Sequence, residues 1–238
     1  MIAPSQCCAI IPTFENGGTV ADVVRGVLAQ GLPVIVVDDG STDATAAALE
    51  GLPLTLVRHP ANRGKGRALQ SGFREALRQG FRFAVTLDAD LQHNPADIPV
   101  LLEAGGEKTL VIGSRNLQAD GMPRGNTFAN RFSNFWFAVQ TGRRLPDTQT
   151  GFRLYPLEDL PSLRLLTRRY EAELTLLVFS AWKGLRLQPV PVSVSYPEDR
   201  VTHFRPFRDF GRISILNTVL CLLALVYGYP RMFLQKVF

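Results

Sequence analysis

Short apolar runs alternate with segments of helical periodicity along the first half of the chain. Runs of four or five apolar residues predict buried strands at 7–11, 34–37, 54–57, 83–87 and 109–112. Apolar positions three and four residues apart predict helices at 18–30, 66–79 and 95–103, and a polar cap at Ser41 or Thr42 predicts a shorter helix ending at 49. This alternation predicts an α/β fold, with a mostly parallel sheet covered by helices on both faces.

The pattern is less regular after residue 115. Helices are predicted at 126–141 and 170–182, and alternating apolar and polar residues predict a strand at 190–196. The composition changes again from residue 201, where phenylalanines and arginines interleave before a long apolar run. We therefore predict an α/β domain over 1–200 and a C-terminal helical tail over 201–238.

The composition narrows the class of protein. The 238 residues are 46% hydrophobic and 20% charged, which fits one α/β domain with a short appendage rather than a disordered chain. The net charge of +5 favours an anionic partner, for which nucleic acid, phospholipid headgroups and phosphorylated small molecules all qualify. Cys7, Cys8 and Cys221 lack the spacing of a zinc site or a disulfide framework. The N-terminus lacks the features of a signal peptide, so we expect the α/β domain in the cytoplasm.

Polar clusters follow three of the predicted strands directly, at 12–16, 38–43 and 88–93. Ligands of open α/β sheets bind beyond the carboxyl ends of the strands. We therefore expect these three clusters to line one crevice.

The cluster after the fourth strand contains two carboxylates separated by one residue, Asp88 and Asp90. Such a pair, with an oxygen from Gln92, suits a hard divalent cation that bridges the phosphates of a nucleotide. His93 adds a candidate nitrogen ligand. The alternative is a group of helix-capping acids before Asn94, and the position at a strand end favours the metal.

The other clusters suit the rest of a nucleotide. Asp38 is placed to accept hydrogen bonds from a base or ribose, Phe14 to stack on a base, and Glu15 to hold a ribose hydroxyl. The alternative for each is an ordinary loop residue, and for Asp43 we favour a role in the turn. The basic, glycine-rich segment 62–67 opens a helix and suits phosphate, although it is not a Walker A loop.

Together these motifs resemble the family 2 inverting glycosyltransferases of the GT-A fold, and within them the dolichol- and polyprenyl-phosphate sugar synthases. The likeness covers about residues 8–196 and depends on VVDDGSTDAT, N.GKG and LDADLQHNP in that order. GSR at 113–115, NRFSN at 130–134 and DTQTGFR at 147–153 are similar to later motifs of this subgroup.

The resemblance implies a role for each set of residues. The metal, Mg²⁺ or Mn²⁺, would be held by Asp88, Asp90 and Gln92. The nucleotide-sugar donor, linked to UDP or GDP, would contact Pro12, Thr13, Phe14, Glu15, Asp38, Asp39, Lys65, Asp88 and Ala89, with Lys65 near the base or ribose. The catalytic set would be Asp88, Asp90, Arg115 and Arg131, the two arginines facing an acceptor phosphate. Asp147, Arg200, His203 and Arg205 would lie at the acceptor or diphosphate end.

Two departures from the family pattern leave the acceptor open. The usual Pro-Thr-Tyr-Asn-Glu reads Pro-Thr-Phe-Glu-Asn here, and Asn126 and Asn130 replace the usual serine and second arginine. A lipid phosphate is already an anionic nucleophile and needs no base. A lipid or pigment hydroxyl would need a carboxylate to take its proton, for which Asp147 and Glu171 are the candidates.

The tail predicts attachment to a membrane. The interleaved aromatic and basic residues at 202–212 suit a membrane interface or single-stranded nucleic acid, and the apolar run at 213–229 favours the membrane and argues against nucleic acid as the partner. The run is shorter than the roughly 20 residues of a bilayer span. We therefore expect a peripheral or monotopic enzyme at the cytoplasmic face of the cell membrane that moves a sugar onto a lipid. The alternatives are a core or homodimer helix and a nucleotide-binding membrane adaptor without turnover.

Overall fold

The computed structural model describes residues 1–115, 124–162, 171–195 and 206–237. Within these ranges one sheet contains seven strands. They are β1 (Cys7–Thr13), β2 (Val34–Asp38), β3 (Thr55–Arg58), β4 (Phe83–Thr86), β5 (Thr109–Ser114), β6 (Arg153–Pro156) and β7 (Arg186–Pro191). The five strands predicted before residue 115 are all present.

The strands lie in the order β3-β2-β1-β4-β6-β5-β7. Of these seven, only β6 is antiparallel to its neighbours, β4 and β5; the other pairs are parallel. The predicted mostly parallel sheet is therefore confirmed. Strand β6 was not predicted, because its sequence, Arg-Leu-Tyr-Pro, contains a charge and a proline rather than an apolar run.

Helices cover both faces of the sheet. They are α1 (Val20–Leu28), α2 (Thr45–Ala48), α3 (Lys65–Arg78), α4 (Ile98–Ala104), α5 (Arg124–Thr141), α6 (Glu171–Trp182), α7 (Pro206–Leu223) and α8 (Tyr229–Val237). Alternate residues of β1 point to opposite sides. Cys8 and Ile10 pack in one core with α3, α5 and α6, and Cys7, Ala9 and Ile11 pack in a second core with α1 and α4.

Two predicted elements differ from the structure. The helix expected to begin at Ser41 or Thr42 begins at Thr45, because Asp43 accepts hydrogen bonds from the backbone N–H and hydroxyl of Thr45 and holds the preceding turn. The strand expected at 190–196 lies mostly earlier, at Arg186–Pro191, where it pairs with β5. Beyond it, Val194 makes an isolated bridge with His93.

The C-terminal tail packs against the α/β core. Helix α7 continues through a π-helical turn, Ala224–Gly228, into α8. The stretch Ile213–Gln235 is long and apolar enough to cross a membrane, with a mean hydropathy of 1.7 and 22% of its most apolar window buried. Leu220 and Ala224 join the core beneath α5 and α6. The predicted boundary between domain and tail, at residue 200, lies outside the described residues.

Candidate active site

The carboxyl ends of β2, β1 and β4 lie side by side in the sheet, so the loops that follow them share one edge. The loops after β1 and β2 are joined by hydrogen bonds. The Glu15 backbone N–H donates to Ser41 Oγ (3.0 Å), and the Glu15 carboxylate accepts the backbone N–H of Thr42 (2.8 Å). Glu15 has a positive φ of 56°, so this loop has a fixed and unusual shape. Pro12 and Thr13 are buried and Phe14 is half-buried.

Asp38 and Gly40 define the turn after β2. Asp38 is fully buried; one carboxylate oxygen accepts the Ser41 backbone N–H (2.8 Å), and the other lies 3.1 Å from Arg58 Nε. Gly40 has a φ of 80°, and a Cβ there would lie 2.5 Å from the backbone carbon of Ala61, so only glycine fits. The carboxylate of Asp38 is thus directed at its own turn and at Arg58.

Asp39 holds the start of the basic segment 62–67. Its carboxylate accepts the backbone N–H groups of Arg63 (3.0 Å) and Gly64 (2.7 Å), and it pairs with His59 Nδ1 at 2.6 Å. Because Gly64 immediately precedes α3, these bonds fix where that helix starts. Asp39 therefore determines the position of Lys65, the first residue of α3.

The acid pair, Asp88 and Asp90, lies in the loop that follows β4. Asp90 Oδ1 accepts the Gln92 backbone N–H (3.1 Å), and Leu91 between them has a φ of 61°. Asp88 donates its backbone N–H to His93 Nδ1 (3.3 Å). Ala89 is buried, and its carbonyl accepts the Thr19 hydroxyl (2.6 Å), which ties the pair to the start of α1.

Lys65 reaches the acid pair from α3. Its Nζ lies 2.5 Å from Asp88 Oδ1 and 3.0 Å from Glu173 Oε2. Glu173 belongs to the first turn of α6 and is buried. The cation and the two carboxylates come from three separate elements, and only the tertiary fold brings them together.

The two acids of the pair have opposite pKa shifts. Burial works against ionisation of Asp88, but the nearby Lys65 ammonium lowers its pKa below the usual value. Burial and the charge of Asp88 together raise the pKa of Asp90. Asp90 is thus an acid whose charge is poorly compensated, which is the environment that a divalent cation stabilises.

The residues fit a hard divalent cation with open coordination positions. Asp88, Asp90 and Gln92 offer oxygen atoms, which Mg²⁺ and Mn²⁺ prefer. Within 1–115, 124–162, 171–195 and 206–237, no group of three His, Cys, Asp or Glu side chains is placed to hold a metal, so substrate or water would supply the other ligands. The Nδ1 atom of His93 is already engaged within the protein and does not offer the suggested nitrogen ligand. Its Nδ1 accepts the Asp88 N–H, its ring packs on Phe152 at 5.3 Å, and burial lowers its pKa to about 4.

A second charged group combines Arg115, Asp147 and Asn130. Arg115 Nε and Nη2 bind both oxygens of Asp147 (2.6 and 3.0 Å), and Asn130 Nδ2 donates to the same carboxylate (2.6 Å). Burial opposes ionisation of Asp147, but these bonds lower its pKa. Arg131 is exposed beside Asn130 on α5. Arg200, His203 and Arg205 lie outside the described residues.

An open cavity of about 430 Å³ borders the turn after β2. It is lined by Gly40, Ser41, Thr42, Arg58, His59 and Pro60. The acid pair is not part of its lining, so this cavity belongs to the β2 and β3 side of the edge.

Glu173, Gly151 and the role of Arg153 were not predicted from the sequence. Arg153 is fully buried and donates to the backbone carbonyls of Thr148 (2.9 Å) and Glu173 (2.8 Å). A Cβ on Gly151 would lie 2.9 Å from Asp88 Oδ2 and 3.0 Å from Glu173 Oε1. One feature of the sequence could have pointed to Glu173, because it is a glutamate at the start of a long apolar helical run. Nothing in the local sequence connects it to Lys65.

The chain is similar to known proteins along most of its length. A family model described as glycosyl transferase family 2 matches residues 8–159. An undecaprenyl-phosphate mannosyltransferase of Micrococcus luteus is 29% identical over 198 residues, covering 77% of this chain and 81% of that protein. A UDP-N-acetylglucosamine–dolichyl-phosphate N-acetylglucosaminyltransferase of Methanococcus voltae is 28% identical over 214 residues, covering 79% and 85%.

Among solved structures, a glucosyl-3-phosphoglycerate synthase of Mycobacterium tuberculosis has a similar fold. It was crystallised with Mn²⁺, uridine diphosphate and phosphoglyceric acid, and it aligns with a TM-score of 0.68 at 22% identity, covering 92% of this chain and 78% of that chain. This likeness confirms the expected GT-A architecture.

Proposed function

The chain belongs to glycosyl transferase family 2, and on that premise we propose that it transfers a sugar from a nucleoside diphosphate to a polyprenyl phosphate with the aid of Mg²⁺ or Mn²⁺. The observation that carries the proposal is the acid pair Asp88 and Asp90, beside Lys65, at the shared carboxyl edge of β1, β2 and β4. Relatives named for undecaprenyl and dolichyl phosphate support the acceptor class.

The donor side of the reaction follows from the charges at the edge of the sheet. Asp88, Asp90 and Gln92 would hold the cation, whose charge stabilises the departing diphosphate. Lys65 lies next to Asp88, and its ammonium would interact with the diphosphate oxygens next to the cation. The joined loops after β1 and β2 would hold the nucleoside.

The acceptor side favours an anion over a hydroxyl. Asp147, one candidate base for a hydroxyl, is bound by Arg115 and Asn130, and its pKa is lowered by those bonds. It is therefore a weak proton acceptor. A phosphate oxygen needs no base: it attacks the anomeric carbon, the bond to the diphosphate breaks, and the electron pair leaves on the diphosphate with inversion of configuration. Arg115 and Arg131 are the candidate acceptor contacts.

The tail favours a protein that lies on a membrane. The tail and α5 carry exposed apolar side chains, namely Ile215, Val219, Leu222, Leu225, Val226, Phe233, Phe135 and Val139. An apolar helix face of this kind inserts at the boundary of headgroups and acyl chains. We propose that this contact is with the cytoplasmic face of the membrane.

The docking of the tail argues against a helix that crosses the bilayer. Asn217 bonds Gln140, the Tyr229 hydroxyl donates to the Val139 carbonyl, and Gln235 donates to the Trp182 carbonyl. These bonds tie Ile213–Gln235 to α5 and α6 along its length. If the tail crossed the bilayer, α5 and α6 would have to enter the hydrocarbon with it. The charged residues near the ends of α5 and α6 would then also enter the hydrocarbon, which is costly.

The test is a transfer assay with purified protein, Mn²⁺ and labelled UDP- and GDP-sugars in detergent. Undecaprenyl phosphate is offered in one series and undecaprenol in the other. The proposal predicts a labelled lipid with the phosphate and none with the alcohol. A product formed only from the alcohol would overturn the acceptor assignment, and no labelled lipid with any donor would overturn the proposed function.

A further inference from the structure

Lys65 is shared between two carboxylates of different elements. Its Nζ contacts Asp88 at the end of β4 and Glu173 in the first turn of α6. The Lys65 and Glu173 side chains are 16% and 9% exposed, and the Asp88 side chain is 29% exposed. The side chain of Asp88 is thus the most exposed of the three, and that of Glu173 is the most buried.

The surroundings of Glu173 hold it firmly. Its backbone carbonyl accepts a hydrogen bond from the buried Arg153 (2.8 Å), which anchors the first turn of α6 to β6. Within the described residues, Glu173 Oε1 is buried and has no hydrogen-bond partner. It faces the Cα side of Gly151, as Asp88 does. The lack of a side chain at Gly151 lets the two carboxylates converge on one lysine.

A lysine in this position competes with a divalent cation for Asp88. Separating a largely buried ammonium from its only carboxylate partner is strongly unfavourable. With Glu173 as a second partner, Lys65 keeps an ion pair while Asp88 interacts with the cation. Without Glu173, binding of a cation at Asp88 would strand the Lys65 charge.

We propose that Glu173 is a positioning residue that retains Lys65 beside the acid pair and thereby leaves Asp88 available to the divalent cation. This inference rests on the cation site of the proposed function. It adds the reason for a glutamate at residue 173 and for a glycine at residue 151.

The test is a double-mutant cycle on Mn²⁺ binding, measured by the electron paramagnetic resonance of free Mn²⁺ in the presence of a nucleoside diphosphate. The variants are Glu173→Gln, Lys65→Met and the double substitution, in the full chain. Loss of the Glu173 charge weakens Mn²⁺ binding directly in both backgrounds. If Glu173 acts through Lys65, the loss is larger by about tenfold when Lys65 is present, a coupling within the usual range for contacting residues.

Two further variants complete the test. Glu173→Asp keeps the charge on a shorter side chain, so Mn²⁺ affinity should fall between those of the wild type and Glu173→Gln; if Glu173→Gln does not fold, Glu173→Asp takes its place in the cycle. Glu158→Gln removes an exposed carboxylate from the turn after β6 and should bind Mn²⁺ as the wild type does. Circular dichroism confirms that each variant is folded.

The outcomes separate this inference from the proposed function. If Glu173→Gln lowers Mn²⁺ affinity equally with and without the Lys65→Met substitution, the inference is overturned whatever the transfer assay gives. If the double-mutant cycle shows coupling but the transfer assay gives no labelled lipid, the proposed function is overturned and the inference is supported. No Mn²⁺ binding by the wild type overturns both.

Discussion

Asp88 and Asp90 are two residues apart, yet their surroundings differ. Lys65 stabilises the charge of Asp88, whereas burial and the charge of Asp88 raise the pKa of Asp90. His93, three residues further on, is neutral because burial lowers its pKa to about 4. Its Nδ1 accepts the Asp88 N–H, so its role is to hold the loop in shape.

The neutral state of His93 predicts a pH dependence of stability. An unfolded histidine takes up a proton near pH 6.5, but folded His93 does so only near pH 4. Between these values the unfolded chain binds more protons, so the free energy of unfolding falls as the pH falls.

The variant His93→Asn keeps an oxygen that can accept the Asp88 N–H but does not titrate. We expect its melting temperature to decrease less than that of the wild type between pH 7 and pH 4.5. Thermal unfolding at several pH values measures this, and the difference between the two proteins excludes the contributions of other groups. Parallel curves would contradict the assignment of a neutral, buried His93.

Gly151 predicts a steric effect on the cation site. In Gly151→Ala, the new Cβ would lie about 3 Å from oxygens of both Asp88 and Glu173. Both are ends of side chains and can move, so we expect a folded protein that binds Mn²⁺ more weakly than the wild type. The control is Gly18→Ala, because a Cβ added at Gly18 would meet no other atoms, and this variant should bind Mn²⁺ as the wild type does. Gly80→Ala is not a suitable control because the φ of Gly80 is positive. Unchanged Mn²⁺ affinity in Gly151→Ala would show that the packing at this glycine is not needed.

Among the elements, the strands of apolar residues were the most predictable. Strands β1, β2, β4 and β5 are buried at every position, so burial itself produces the apolar runs that identify them. Strand β6 is buried just as fully, but Arg153 achieves this through hydrogen bonds to carbonyl groups outside the strand, those of Thr148 and Glu173. No local pattern encodes such bonds.

The residues of the site divide in the same way, into those that sequence patterns predict and those that only the tertiary fold brings together. The acid pair and the loops after β1 and β2 were predictable because they directly follow apolar strands. The partnership of Lys65 with Glu173 was not, since they lie 108 positions apart and no periodicity relates α3 to α6. The partial charge neutralisation of Asp147 by Arg115 was likewise invisible in the sequence, although both residues stood in the motifs that suggested the acceptor end.

The tail predicts a change in membrane binding without a change in fold. Leu225 and Val226 are 67% and 76% exposed, so replacing both with glutamate removes apolar surface that contributes little to the core. At about 1.5–3 kcal/mol for each apolar side chain taken out of water, we expect at least tenfold weaker binding to lipid vesicles.

Sedimentation with vesicles measures the bound fraction. Leu56→Glu, at an exposed apolar position of β3, serves as the control and should bind vesicles as the wild type does. If the tail variant binds vesicles as well as the wild type, its apolar surface is not the membrane contact.

At the scale of the whole molecule, two regions must act together. The loops proposed to hold the donor lie at the carboxyl edge of β1, β2 and β4, and the apolar residues of α5, α7 and α8 belong to the side of the core that contains α6. Helix α5 links the Arg115–Asp147 group to the tail, because Asn130 binds Asp147 and Gln140 near the end of the helix binds Asn217 of the tail. This arrangement suits an acceptor whose phosphate reaches a soluble donor while its chain stays in lipid.

The central claim is that Asp88 and Asp90 hold a divalent cation that in turn holds a donor diphosphate. Calorimetric titration of the wild type and Asp90→Asn with uridine and guanosine diphosphates, with Mn²⁺ and with chelator, tests it most directly. We expect one of the two nucleotides to bind the wild type only with Mn²⁺, and Asp90→Asn to lose about 100-fold of that affinity, because loss of even an outer-shell partner of a metal ligand costs about 10–100-fold in metal affinity. Nucleotide binding that is the same with chelator, or the same in Asp90→Asn, would contradict the account.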